Sequence, residues 1–134
     1  MLTRRGFATC ALCAATGLAA AAAQAQSAAT PGLKRSILQR TDGPAPGYET
    51  LVVAIEIEPG AVVARHTHPG VESSYVIEGE TELSVEGQAT RTVSAGQSFQ
   101  IPTGVPHSAK NSDKPARLAA VYVVEKGKPL ASPA

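Results

Sequence analysis

Residues 60–79 read GAVVARHTHPGVESSYVIEG, and the two histidines in that stretch, with the glutamate four positions after the second, govern how the rest of the chain is read. Histidine is scarce, with three in 134 residues, at positions 66, 68 and 107. His66 and His68 lie two apart in a β-type run. Side chains alternate across a strand, so both imidazoles point to one face, with Arg65 and Thr67 directed away from it. Pro69 and Gly70 then turn the chain, and Glu72, at the head of the next run, comes back toward the same point. Imidazole nitrogen together with carboxylate oxygen suits a borderline divalent ion such as Mn, Fe, Co, Ni, Cu or Zn, whereas calcium or magnesium would take oxygen alone. A fourth donor is wanted. His107 is the only histidine left, and it follows the rigid turn Pro102, Thr103, Gly104, Val105, Pro106, which could return the chain across a barrel. The competing reading, three surface or hydrogen-bonded core histidines, leaves the spacing of the pair with Glu72 unexplained.

Outward from this stretch, Leu33 to Val124 is a series of short β-type runs punctuated by Gly and Pro about every ten residues, the rhythm of an all-β sandwich or barrel. The runs are Thr50–Glu58, Val62–His68, Ser73–Glu78, Glu80–Glu86, Ala89–Val93, Gln97–Ile101, Pro106–Lys110 and Arg117–Glu125. Glu80–Glu86 places Leu83 and Val85 on one face and Glu82, Ser84 and Glu86 on the other, as a half-exposed strand does, and Gly87 and Gln88 turn it back. Phe99 and Ile101 alternate with polar neighbours and belong to the core, while Glu78, Glu80, Glu82 and Glu86 keep a strand soluble. No amphipathic helix is evident. Gly127 onward reads as a loose tail.

The first residues have a different character. Arg4 and Arg5 precede an alanine-rich apolar run from Cys10 to Ala23, and Ala23, Gln24, Ala25 form a small-x-small cleavage pattern. The order resembles a twin-arginine export signal, in Thr3, Arg4, Arg5, Gly6, Phe7, with Ala8 and Thr9 where Leu and Lys are usual. The expected organisation is therefore a cleaved signal at 1–25, a linker at 26–32, one β-domain at 33–125 and a tail at 126–134, in a periplasmic or otherwise exported protein. Cleavage removes Cys10 and Cys13 and leaves no cysteine, so packing and metal must supply stability. Without Arg4 and Arg5 the basic residues number 10 against 11 acidic ones, a net charge of −1 with neutral histidines. Such a balance favours neither nucleic acid nor, after cleavage, a membrane surface as partner.

Two motifs then carry a family resemblance. The first runs Gly60, five residues, His66, Thr67, His68, three residues, Glu72, six residues, Gly79. The second runs Gly96, five residues, Pro102, Thr103, Gly104, two residues, His107, three residues, Asn111. Both match, in order and 16 residues apart (Glu80 to Ala95), the paired motifs of small single-domain cupins, which the chain resembles. The resemblance implies a six- to eight-stranded jelly-roll β-barrel holding a metal on His66, His68, Glu72 and His107. It also implies turns at Gly60, Gly79, Gly96 and Gly104, a rigid corner at Pro102, a turn-fixing Asn111, and a homodimer.

Four protein donors on an ion that prefers six leave about two positions open, room for water, dioxygen or a bidentate oxygen ligand. Ser74 and Val76 share the face of Glu72 and so wall a pocket with small side chains. There is no fourth histidine to act as acid or base, so chemistry beyond the ion rests on Glu72, on Tyr48, Tyr75 or Tyr122, or on water. The reading that follows is an oxygenase of the dioxygenase kind, with Mn or Fe as cofactor and Zn or Ni as alternatives. It would act on a small oxygen-bearing substrate, with Glu72 as the catalytic residue. The alternative is a binding or sensor module that captures a small ligand without turnover. A twin-arginine route would let the chain fold around Mn or Fe in the cytoplasm, ahead of the tighter-binding Cu and Zn.

Overall fold

Strict alternation sets the layers. In the strand Ala116–Glu125, residues Ala116, Leu118, Ala120, Tyr122 and Val124 are buried, and their odd-numbered neighbours face outward. The computed structural model describes residues 30–134, in which ten strands follow one another: β1 Leu33–Asp42, β2 Tyr48–Ile57, β3 Val62–Thr67, β4 Gly70–Glu78, β5 Glu80–Val85, β6 Arg91–Ser94, β7 Ser98–Ile101, β8 His107–Asn111, β9 Ala116–Glu125 and β10 Ser132–Pro133. The expected export signal and most of the expected linker lie outside the described residues. Two five-stranded antiparallel sheets result, ordered β1-β2-β9-β4-β7 and β10-β3-β8-β5-β6. This is the all-β jelly-roll barrel that the strand rhythm and motifs imply.

β9 is the spine of the first sheet. It pairs with β2 over the whole of both strands, Tyr48 opposite Glu125 through Ile57 opposite Ala116, and with β4 on its other side. Leu51, Val53, Ile55 and Ile57 of β2 meet Val76 of β4, Leu83 and Val85 of β5, Val93 of β6 and Phe99 and Ile101 of β7 in one apolar core. Each of these aliphatic side chains stabilises the fold by ~1.5–3 kcal/mol when fully buried.

Two glycines hold the strands at their spacing. At Gly70 an added Cβ would collide with the Val123 carbonyl oxygen and its neighbours, so β4 meets β9 too closely there for any side chain. Gly79 turns β4 into β5 with φ of 76°, where a Cβ would strike the Pro115 carbonyl. Asn111 fixes the adjoining turns, its Nδ2 donating to the carbonyls of Ile57, Glu58 and Lys114 at 3.2, 3.0 and 2.7 Å.

Three features depart from the sequence reading. Among the described residues the strands number ten rather than six to eight. The β-type runs legible in the sequence begin only at Thr50, yet β1 occupies Leu33–Asp42, pairing along β2 with a register shift between Ile37 and Gln39. The stretch read as a loose tail is docked: Ser132 and Pro133 lie opposite Thr67 and His66, and Ala134 N donates to the Arg65 carbonyl. β1 and β10 are held through backbone pairing and carry little apolar alternation, so periodicity gives no sign of them.

Candidate metal centre

The three imidazoles arrive on one face by two devices. On β3 the register slips between Val63 and His66, Val63 lying opposite Ala109 and His66 opposite His107. One extra residue on β3 lets both Val63 and His66 turn inward although they are three apart, as a β-bulge does. His66 and His107 are thus direct cross-strand partners, and His68 follows just beyond the end of β3. Arg65 points outward to Glu86 at 2.7 Å, as expected of a residue flanking the pair. Glu72 comes from the opposite sheet, on β4, directly across from Tyr122 of β9.

All three histidines are buried, and so is Glu72, which is 5% exposed. Ring centroids are 4.2 Å apart for His66 and His107, 4.8 Å for His66 and His68, and 4.9 Å for His68 and His107. One ring nitrogen from each lies within 4.8 Å of those of the others. The Glu72 Oε2 atom is 2.8 Å from His68 Nε2 and 3.6 Å from His107 Nε2. Sequence spacing brought these four residues together on paper, and the structure brings them together in space.

The other ring nitrogens are all occupied by main chain. His66 Nδ1 donates to the Ala64 carbonyl at 2.8 Å, His107 Nδ1 to the Val105 carbonyl at 3.0 Å, and His68 Nδ1 to the Leu130 carbonyl. A proton held at Nδ1 leaves the Nε2 lone pair free on every ring, the tautomer that a metal needs. Burial is the main force on His66, lowering its pKa from 6.5 to about 4; the Ala64 carbonyl opposes this, and His107, His68 and Arg35 add to it. That imidazole is neutral at physiological pH.

Burial alone would raise the pKa of Glu72, but His107, His68 and the Ser74 hydroxyl outweigh it and hold the carboxyl well below the usual range. Ser74 Oγ donates to Glu72 Oε1 at 2.6 Å, leaving Oε2 to face the imidazoles. His68 Nε2 is buried and makes no hydrogen bond among the described residues, although Glu72 Oε2 is so near. Two donors ~2.1 Å from a shared ion sit ~3–3.5 Å apart, a range that the 2.8 and 3.6 Å separations bracket, and the orphaned nitrogen suits a divalent cation there. Three buried histidines here could bind a metal ion.

Beside these donors is a small cavity of about 40 Å³ whose polar lining comes from Arg35, His66, Glu72, Thr81, His107 and Tyr122. Of the three tyrosines weighed from sequence, Tyr122 is the one at the site, its ring 5.0 Å from that of His68. Burial first, and the Glu72 charge second, push its phenol pKa far upward, so it stays protonated as a potential donor. Tyr75 is half exposed on the outer face of β4, and Tyr48 begins β2. Ser74 and Val76 do face inward, yet Ser74 is engaged by Glu72 and neither lines the cavity. Arg35 was not singled out from sequence, because the side-chain parity of β1 could not be read before the strand itself was known.

Residues 53–124 match the family profile described as Cupin domain. Among curated proteins the chain is 37% identical over 86 residues to germin-like protein subfamily 2 member 2 of Arabidopsis thaliana, covering 58% of this chain and 39% of that one. It is 43% identical over 65 residues to the HTH-type transcriptional regulator PuuR of Escherichia coli (strain K12), covering 47% of this chain and 35% of that one. The chain thus spans well under half the length of these two relatives. Among solved structures, KdgF from Halomonas sp. superposes with a TM-score of 0.59 at 26% identity, over 72% of this chain and 83% of that one.

Proposed function

This chain belongs to the cupin family, and from that premise we propose that it is an exported, metal-dependent oxygenase of the dioxygenase kind acting on a small oxygen-bearing organic molecule. One observation carries the reading: three imidazoles with their Nδ1 protons tied to main-chain carbonyls converge beside a carboxylate oxygen, and two of them, His66 and His107, line a small cavity together with Glu72. Mn or Fe is the expected ion, with Zn or Ni as alternatives, held by His66, His68, Glu72 and His107. When bound, such an ion supplies Lewis acidity and, for Mn or Fe, one-electron exchange.

The chain's own residues have separable roles. The imidazoles are positioning donors, fixed in tautomer and direction by backbone. Glu72 is the catalytic residue through the ion it helps to hold: Ser74 donates to one of its oxygens, and the other faces the imidazoles. Tyr122, kept protonated, can donate to a substrate oxygen. The apolar remainder of the lining, including Leu33, Ile55, Leu83, Phe99 and Leu118, excludes bulk water. The cavity beside the donors is small, about 40 Å³, which suits a small substrate.

Export through the twin-arginine-like signal and dimerisation are parts of the same proposal. Support for a homodimer comes from the outer face of the first sheet, where Val71, Tyr75, Ile77 and Val121 are exposed side by side on β4 and β9.

Oxygen-electrode measurements on Mn- or Fe-reconstituted protein, with small organic acids, diketones and catechols, test the oxygenase. Substrate-dependent oxygen uptake that Glu72→Gln abolishes is the expected result. Thermal stabilisation by one of these compounds with no oxygen uptake would favour the second reading, a non-catalytic binding or sensor module. That alternative draws its support from the similarity of residues here to part of a transcriptional regulator.

A further inference from the structure

Arg35 is a cation placed where alternation calls for an apolar side chain. Its register partner on β2 is Ile55, and it lines the metal-side cavity with Leu33, Ile55 and Ile57. Its Nε is buried, and among the described residues that atom has no hydrogen-bond partner and the guanidinium no ion pair. Leaving a buried donor of a charged group unsatisfied is costly, which makes it a place to look for a missing ligand.

Charge balance points the same way. Among the described residues Glu72 is the only acidic one in the cavity lining, and its carboxylate is already committed to the imidazole cluster and Ser74. Three neutral imidazoles, one carboxylate and a divalent ion leave a surplus of one positive charge, and Arg35 raises it to two. In a largely apolar enclosure such a surplus selects an anion. A guanidinium is the side chain whose fork matches a carboxylate, and the small cavity suits a short molecule.

We propose that Arg35 binds the carboxylate of a small organic acid held in the cavity beside His66, Glu72 and His107, so that the site takes short carboxylates in preference to neutral diols, diketones or catechols. This rests on the metal-centre reading and narrows its substrate class. The acid's second oxygen function, a hydroxyl or another carboxylate, would face the histidine and Glu72 side, with Tyr122 between the two ends.

The test is isothermal titration of the full-length, metal-loaded chain with glycolate and acetate as probes and glycolamide as the neutral counterpart, with metal content measured on each sample by elemental analysis. Glycolate should bind the unaltered chain, and Arg35→Met should weaken it ~10- to 100-fold at unchanged metal content, with partial recovery in Arg35→Lys and little change for glycolamide. Arg35→Gln serves if the Met variant melts far below the parent. No glycolate binding to the parent, equal glycolate affinity in the metal-replete Met variant, or equal losses for glycolate and glycolamide would each overturn the proposal. A parent chain that holds no metal would instead overturn the metal-centre reading. The Arg35 assignment is then decided in the metal-free chain, where a glycolate-induced thermal shift that disappears in Arg35→Met supports it and its absence refutes it.

Discussion

Each imidazole of the cluster is held at two points, by a main-chain carbonyl at Nδ1 and by whatever its Nε2 meets inside. Because the carbonyls fix direction, removal of any one ring should be felt as lost affinity rather than as a shifted site. We expect His66→Ala, His68→Ala and His107→Ala each to lower metal affinity by more than the ~10- to 100-fold typical of losing an outer-shell partner. The triple variant should hold no metal by elemental analysis. In the metal-free protein His66 also sets an acid limit. Its folded pKa of about 4 lies below the unfolded 6.5, so the unfolded chain binds the extra proton between those values and stability falls as pH drops through that window. The depressed Glu72 carboxyl adds a second loss below its unfolded value of 4.5. Melting temperatures across pH 4–6.5 should show the first slope, and His66→Asn should flatten it. The histidines and Glu72 were legible in the sequence because histidine is rare here and strand parity is strict. Arg35 was not, since an arginine in an unassigned segment carries no parity.

β4 and β10 show how differently elements can matter. β4 packs so closely on β9 at Gly70 that Gly70→Ala must push two central strands apart, and we expect a loss of ~1–3 kcal/mol by urea denaturation. β10 is short and exposed, yet the segment leading into it supplies the carbonyl of Leu130 to His68. Deleting residues 128–134 should therefore weaken metal binding ~10- to 100-fold while leaving the apolar core intact, a split that chelator competition and thermal melting together would resolve. Equal metal affinity in the shortened chain would show that the Leu130 carbonyl is dispensable. The long strands β2, β4 and β9 could be read from sequence because their buried faces alternate. The bulge in β3 could not, because an inserted residue leaves no mark in composition and is apparent only from what lies opposite.

For the molecule as a whole, the apolar strip of Val71, Tyr75, Ile77 and Val121 should be covered in solution: light scattering is expected to give twice the chain mass, and Tyr75→Lys to return it to one. Export is tested by replacing Arg4 and Arg5 with lysine, which should hold the precursor in the cytoplasm if the twin-arginine reading is right. The barrel was foreseeable from two motifs and a ten-residue rhythm, whereas the way its edges close depends on backbone pairing that side chains do not announce. The separation of the donors along the chain has a further consequence. His68 emerges 39 residues before His107 and 62 before Leu130, and His66 two residues earlier still. During synthesis the first two rings are therefore on offer as a loose pair, able to catch whichever soft ion passes, until the opposite strand and the final carbonyl arrive. For the metal centre proposed above, discrimination among ions would in this sense be an event in time, completed when the last segment locks down.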